Sequence, residues 1–172
     1  MNAFSLRAPS RRALRGWGFA LAVLSVILPA LPLGPLFAQP PLPLAVLWAA
    51  YGWAAEDESG WRAPLTLALL GLLHDQLAGG PYGLFVLIYL SAYLIGRIAA
   101  VAMSAPNLVS LWGGFIFTAL LTILIVVGVE RLLAPIAVVP YAEAALITAI
   151  FFPLVRPLYM TAGASVRQGS RR

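Results

Sequence analysis

The chain has 172 residues, of which 62% are hydrophobic and 10% charged, with a formal net charge of +5. Soluble domains carry about 25% charged residues, and a water-soluble globule of this size has no interior that could hide so much apolar surface, so the composition points to an all-α polytopic membrane protein. The absence of cysteine excludes disulfides, thiol catalysis and thiolate metal sites, and one histidine with six acids leaves little for a metal cage.

Residues 1–15, MNAFSLRAPSRRALR, read as a basic tail carrying Arg7, Arg11, Arg12 and Arg15. The apolar run WGFALAVLSVILPALPLGPLF follows at 17–37. A basic flank before an apolar run also fits a signal peptide. No clear A-x-A site follows, however, and more apolar runs do, so the run reads as an uncleaved first helix. Pro29, Pro32 and Pro35 stop its regular part near residue 33. QPPLP at 39–43 is a rigid connection. The second run, LAVLWAAYGWAA at 44–55, is short. Its length of roughly 18 to 21 Å falls below the roughly 30 Å of a hydrocarbon core. Trp48, Tyr51 and Trp53 lend it the character of a membrane interface. EDESGWR at 56–62 is the one dense polar loop.

The third run opens with Pro64 in a helix's first turn and continues to about residue 78, where Gly79-Gly80-Pro81 breaks it. The fourth spans 81–103 with Arg97 near its end, and SAPN at 104–107 forms a turn. The fifth, LVSLWGGFIFTALLTILIVVGV, spans 108–129 and is closed by Glu130-Arg131 and Pro135. The sixth spans 141–160, with Glu143 near its start and Arg156 between Pro153 and Pro157. The expected organisation is a basic tail (1–15), one six-helix transmembrane domain (16–160) and a second basic tail (161–172).

All eleven basic residues are arginine. They occupy the tails and short connections, as topology requires, so the charge does not indicate nucleic acid. With six crossings and the N-terminus in the cytoplasm, every arginine except Arg131 falls on the cytoplasmic side. With five, the C-terminal arginines fall outside. The positive-inside bias therefore favours six, both termini cytoplasmic, with Arg97 and Arg156 as snorkelling anchors.

Lipid supplies no hydrophobic drive between helices, so close backbone approach matters. Ser110, Gly114, Thr118 and Thr122 lie four apart in the fifth run, and Ala92, Gly96 and Ala100 in the fourth. These stripes pack within the bundle or dock a partner's helix. In GLLHDQLAGGPYGL (71–84), Gly71, Asp75, Gly79 and Gly83 are also four apart. The first three share a helix face, which sets a carboxylate between positions without side chains. An anion is poorly placed in a helix's last turn, but the N-terminal amides of the next helix can accept it. Asp75 is thus expected to pin a hairpin. His74 points about 100° away from Asp75 on a helix, and no Ser/His/Asp set, HExxH, paired aspartates or phosphate loop is present. The residues indicate no enzyme, metal or cofactor.

The stretch GLLHDQLAGGPYGLFVLIYLSAYLIGR (71–97), with PPLPLAVLWAAYGWA (40–54) before it, resembles the rod-shape-determining MreD family of bacterial inner-membrane proteins. The shared pattern is Gly, apolar residues, Asp, a Gly-containing turn with Pro81, then Gly83 opening a long apolar helix. His74 departs from it, standing where the family usually has an apolar residue. The resemblance implies a multi-pass inner-membrane scaffold of lateral cell-wall elongation. Its direct partner would be the single-span periplasmic protein MreC. Through MreC it would connect to the SEDS glycosyltransferase, the class B penicillin-binding transpeptidase and MreB filaments, with membrane lipid around the bundle. The family is also distantly similar to the six-helix substrate-binding subunits of vitamin transporters. A carrier subunit for a vitamin-like small molecule is therefore the alternative.

Overall fold

The computed structural model describes residues 11–28, 45–56, 60–79, 82–103, 107–133 and 139–160. Among them the chain is all-helical, with α1 (Arg11–Ile27), α2 (Ala45–Ala55), α3 (Arg62–Ala78), α4 (Leu84–Ala102), α5 (Leu108–Leu133) and α6 (Val139–Tyr159). Pro81, the segments 1–10 and 161–172, and the QPPLP connection lie outside the described residues.

Local chemistry accounts for most helix ends. α1 begins at Arg11, inside the stretch read above as a tail, because Arg, Ala and Leu are good helix formers. It ends at Ile27, ahead of Pro29 rather than near residue 33, since a proline disfavours helical geometry just before it. α3 carries Pro64 in its first turn and stops at Gly79, whose φ of 65° is left-handed. At the start of α5, Ser110 N–H donates to Asn107 Oδ1 (2.7 Å) while Asn107 N–H donates to Ser110 Oγ (2.9 Å), a reciprocal cap. α5 runs through Glu130-Arg131 to Leu133, four residues past the expected end.

α2 sits in the middle of the molecule. It packs against each of the other five helices, and those five form a closed ring around it in the order α1, α3, α4, α5, α6. Nine of its 11 residues are buried. The aromatics expected at a membrane interface face the bundle: Trp48 and Tyr51 are core residues and Trp53 is half-buried. Their polar atoms find partners inside: Trp48 Nε1 donates to the Thr148 carbonyl (2.7 Å) and the Tyr51 hydroxyl to the Leu111 carbonyl (3.0 Å). Tyr51 meets Phe115 and Phe152 edge-on, and those two rings stack 4.4 Å apart.

Glycines set how closely the ring approaches α2. A Cβ on Gly52 would stand 2.5 Å from Tyr159 Cβ, and one on Gly96 would stand 3.1 Å from Ala54 and Tyr51. A Cβ on Gly114 would collide with the Tyr51 hydroxyl. These contacts, with Gly18 against Leu158 and Tyr159, gather the middle of α1, the end of α2, the later part of α4, the early part of α5 and the end of α6.

The outside of the bundle is as apolar as its inside. Asp75, Thr118, Thr122 and Thr148 are buried, while Leu69, Leu94, Ile98, Leu120, Leu124, Leu146 and Leu154 are each more than half exposed. α4 and α5 are long and apolar enough to cross a membrane.

Candidate functional site at the α3–α4 hairpin

The motif residues converge where α3 ends and α4 begins. Asp75 is 1% exposed. Gly83 N–H donates to its Oδ2 at 2.8 Å and Phe85 N–H to its Oδ1 at 2.9 Å. These amides belong to the first turn of α4, where the helix itself supplies no acceptor. The carboxylate thus closes two open valences and faces the positive end of the α4 dipole. The anion that suits its own helix end poorly is well placed at its neighbour's.

Two glycines make this contact geometrically possible. A Cβ on Gly71, one turn before Asp75, would stand 2.6 Å from both Cα and N of Val86, so α3 and α4 touch there backbone to backbone. Gly83, at φ 91°, turns the chain into α4 in a conformation that L side chains rarely adopt.

His74 serves the same hairpin from another side of α3. Its ring stacks on Phe85, centroids 3.6 Å apart and planes 12° apart. Its Nδ1 lies 2.5 Å from the Tyr89 hydroxyl. Tyr89 is fully buried and His74 half-buried. Sequence reasoning found Asp75 but not Phe85 and Tyr89. The available signal was two aromatics four apart opening α4, at the spacing that puts them on one face.

The other predicted residues lie elsewhere in the bundle. In α4, Ala92 and Gly96 are buried, and in α5, Thr118 and Thr122 are. The neighbour that approaches Gly96 and Gly114 is α2. Ser110 is spent in the cap of α5, where its N–H donates to the capping Asn107 and its Oγ accepts from Asn107 N–H. Thr118 Oγ1 donates to the Gly114 carbonyl (2.8 Å), whereas Thr122 Oγ1 and the Tyr159 hydroxyl are buried without a hydrogen-bond partner. Arg97 and Arg156 are half-buried, and Glu143 is exposed at the start of α6.

Chemically, the hairpin is an acceptor satisfied by backbone donors beside an imidazole that stacks on a phenyl ring and hydrogen-bonds a phenol. Among the described residues, no three His, Cys, Asp or Glu side chains gather as metal ligands would. The chain matches no family model, no curated protein and no solved structure.

Proposed function

We propose that this protein is a non-enzymatic membrane scaffold of the bacterial cell-elongation machinery, with MreC as its direct partner. The observation that carries the reading is the engagement of Asp75. The acid of the Gly71–Asp75–Gly79–Gly83 motif binds the amides of Gly83 and Phe85. A carboxylate committed in this way fixes the shape of a hairpin instead of reacting with a substrate. The motif then works as architecture, as a scaffold requires.

The membrane arrangement in this proposal is six crossings with both termini in the cytoplasm. Three features support it. Leucine and isoleucine cover the outside of the bundle while threonine and aspartate are inside, the order that lipid selects. The ends of α2, α4 and α6 lie together with the early part of α5, as alternating passes would place them. Arg62, Arg97 and Arg156 belong to helix ends on that side, and Arg131 closes α5 on the other. In this arrangement the short α2 is shielded from lipid by its ring of neighbours, and the turn between α3 and α4 faces the periplasm.

The test is a gentle-detergent pull-down of the tagged chain from native membranes with mass-spectrometric identification of what accompanies it. The proposal expects a single-span periplasmic protein with a coiled coil, together with wall synthases. Recovery of paired cytoplasmic ATPases in their place would overturn it in favour of a carrier subunit.

A further inference from the structure

We propose that His74 makes the α3–α4 hairpin a pH-sensitive latch, closed while the imidazole is neutral and loosened when it takes a proton. The argument starts from Tyr89. Its phenol is fully buried, and a buried O–H needs an acceptor. The recorded partner is His74 Nδ1. The arrangement that satisfies both groups has the Tyr89 hydroxyl donating to Nδ1, with the imidazole proton on Nε2. This tautomer follows from the hydrogen-bond pattern. A second proton on the ring must go to Nδ1. There it turns the bond around, and the phenolic hydrogen is left in the interior with no acceptor.

The adjacent Asp75 attracts the extra charge, but no neighbouring group gives the stranded phenol an acceptor. α4 presents Tyr89, Tyr93 and Arg97 as its titratable groups, of which Tyr89 is the one bonded to the ring. α2 presents Tyr51, whose hydroxyl is bonded to Leu111, and Glu56 just beyond its far end. α1 has no titratable side chain between residues 16 and 28. α3 itself contributes Asp75, whose two oxygens are held by Gly83 and Phe85. The stack of His74 on Phe85 ties the ring to the residue whose amide grips Asp75. A ring that shifts to find a better partner therefore pulls on the carboxylate clamp.

The neutral form is the one that this geometry uses. Stability is then full above the ordinary histidine range and declines as pH falls below about 6.5. Only the compartment that sets this pH depends on the topology proposed above; the latch itself does not.

The experiment is thermal unfolding of the purified full chain in detergent between about pH 7.5 and about pH 5. For the wild type the midpoint should fall by about 5 °C over that range. His74→Phe keeps a ring on Phe85 but removes the titrating nitrogen. Tyr89→Phe removes the hydrogen that protonation strands. His74→Phe should lose most of the acid slope and start lower at neutral pH because it orphans the Tyr89 hydroxyl, whereas Tyr89→Phe, which leaves a titrating ring without a partner at Nδ1, should start lower and keep a slope. A flat wild-type profile, or a wild-type slope retained in His74→Phe, would overturn the latch.

Discussion

At the scale of single residues, the hairpin rests on an aspartate with two backbone ligands and a glycine with no room for a methyl group. Replacing Asp75 with leucine leaves the amides of Gly83 and Phe85 without acceptors, at a cost of about 1–3 kcal/mol for each buried donor. Asparagine keeps one acceptor oxygen and should lose about 1–2 kcal/mol. The order wild type, Asp75→Asn, Asp75→Leu should appear in thermal midpoints measured by size exclusion after heating. Identical midpoints for the two variants would remove the pinning role. Gly71→Ala drives a Cβ into the Val86 backbone and should cost about 1–3 kcal/mol. Gly113→Ala is the matched control, since nothing lies within 4 Å of its Cβ position; in the same assay it should not destabilise, and the helix preference of alanine should add up to about 1 kcal/mol.

At the scale of elements, the junction of α2 and α5 depends on one tyrosine lying over one glycine. Gly114→Ala pushes a methyl group into the Tyr51 hydroxyl. Tyr51→Phe alone gives up the hydrogen bond to Leu111, worth about 1 kcal/mol. The double variant should be more stable than Gly114→Ala alone, because the phenylalanine no longer fills the space the methyl group needs. Additive losses in this double-mutant cycle would show that the two residues do not share that space. The sequence made the helices visible because their breaks are chemical: Pro29, Gly79 with its neighbours, and the SAPN turn before α5 are all local signals. It also located Asp75 and its glycine spacing, since a lone acid in an apolar run has few other readings. The placement of α2 was not legible. Tryptophan and tyrosine in a short apolar segment fit a membrane interface as well as a core, and what decides between them is the set of carbonyls at Leu111 and Thr148, 60 and 100 residues away. The partners of His74 were hidden for the same reason, although at shorter range.

At the scale of the whole molecule, the cysteine-free chain suits topology mapping by single introduced cysteines. Tyr82 and Trp61 flank α3 and are 78% and 70% exposed. In intact cells a membrane-impermeant thiol reagent should label Tyr82→Cys, and it should reach Trp61→Cys only after permeabilisation. Labelling of both from the same side would show that α3 does not cross. The ring of five helices around α2 has a consequence for how the protein is made. Eleven helical residues extend about 16 Å, too short to hold a roughly 30 Å hydrocarbon layer alone. Four of the five helices that enclose α2 follow it in the chain, so they emerge from the ribosome after it does. In the six-crossing arrangement proposed above, the segment that becomes the centre of the bundle would therefore enter the bilayer before most of its walls, and α6 would be the last to close the ring.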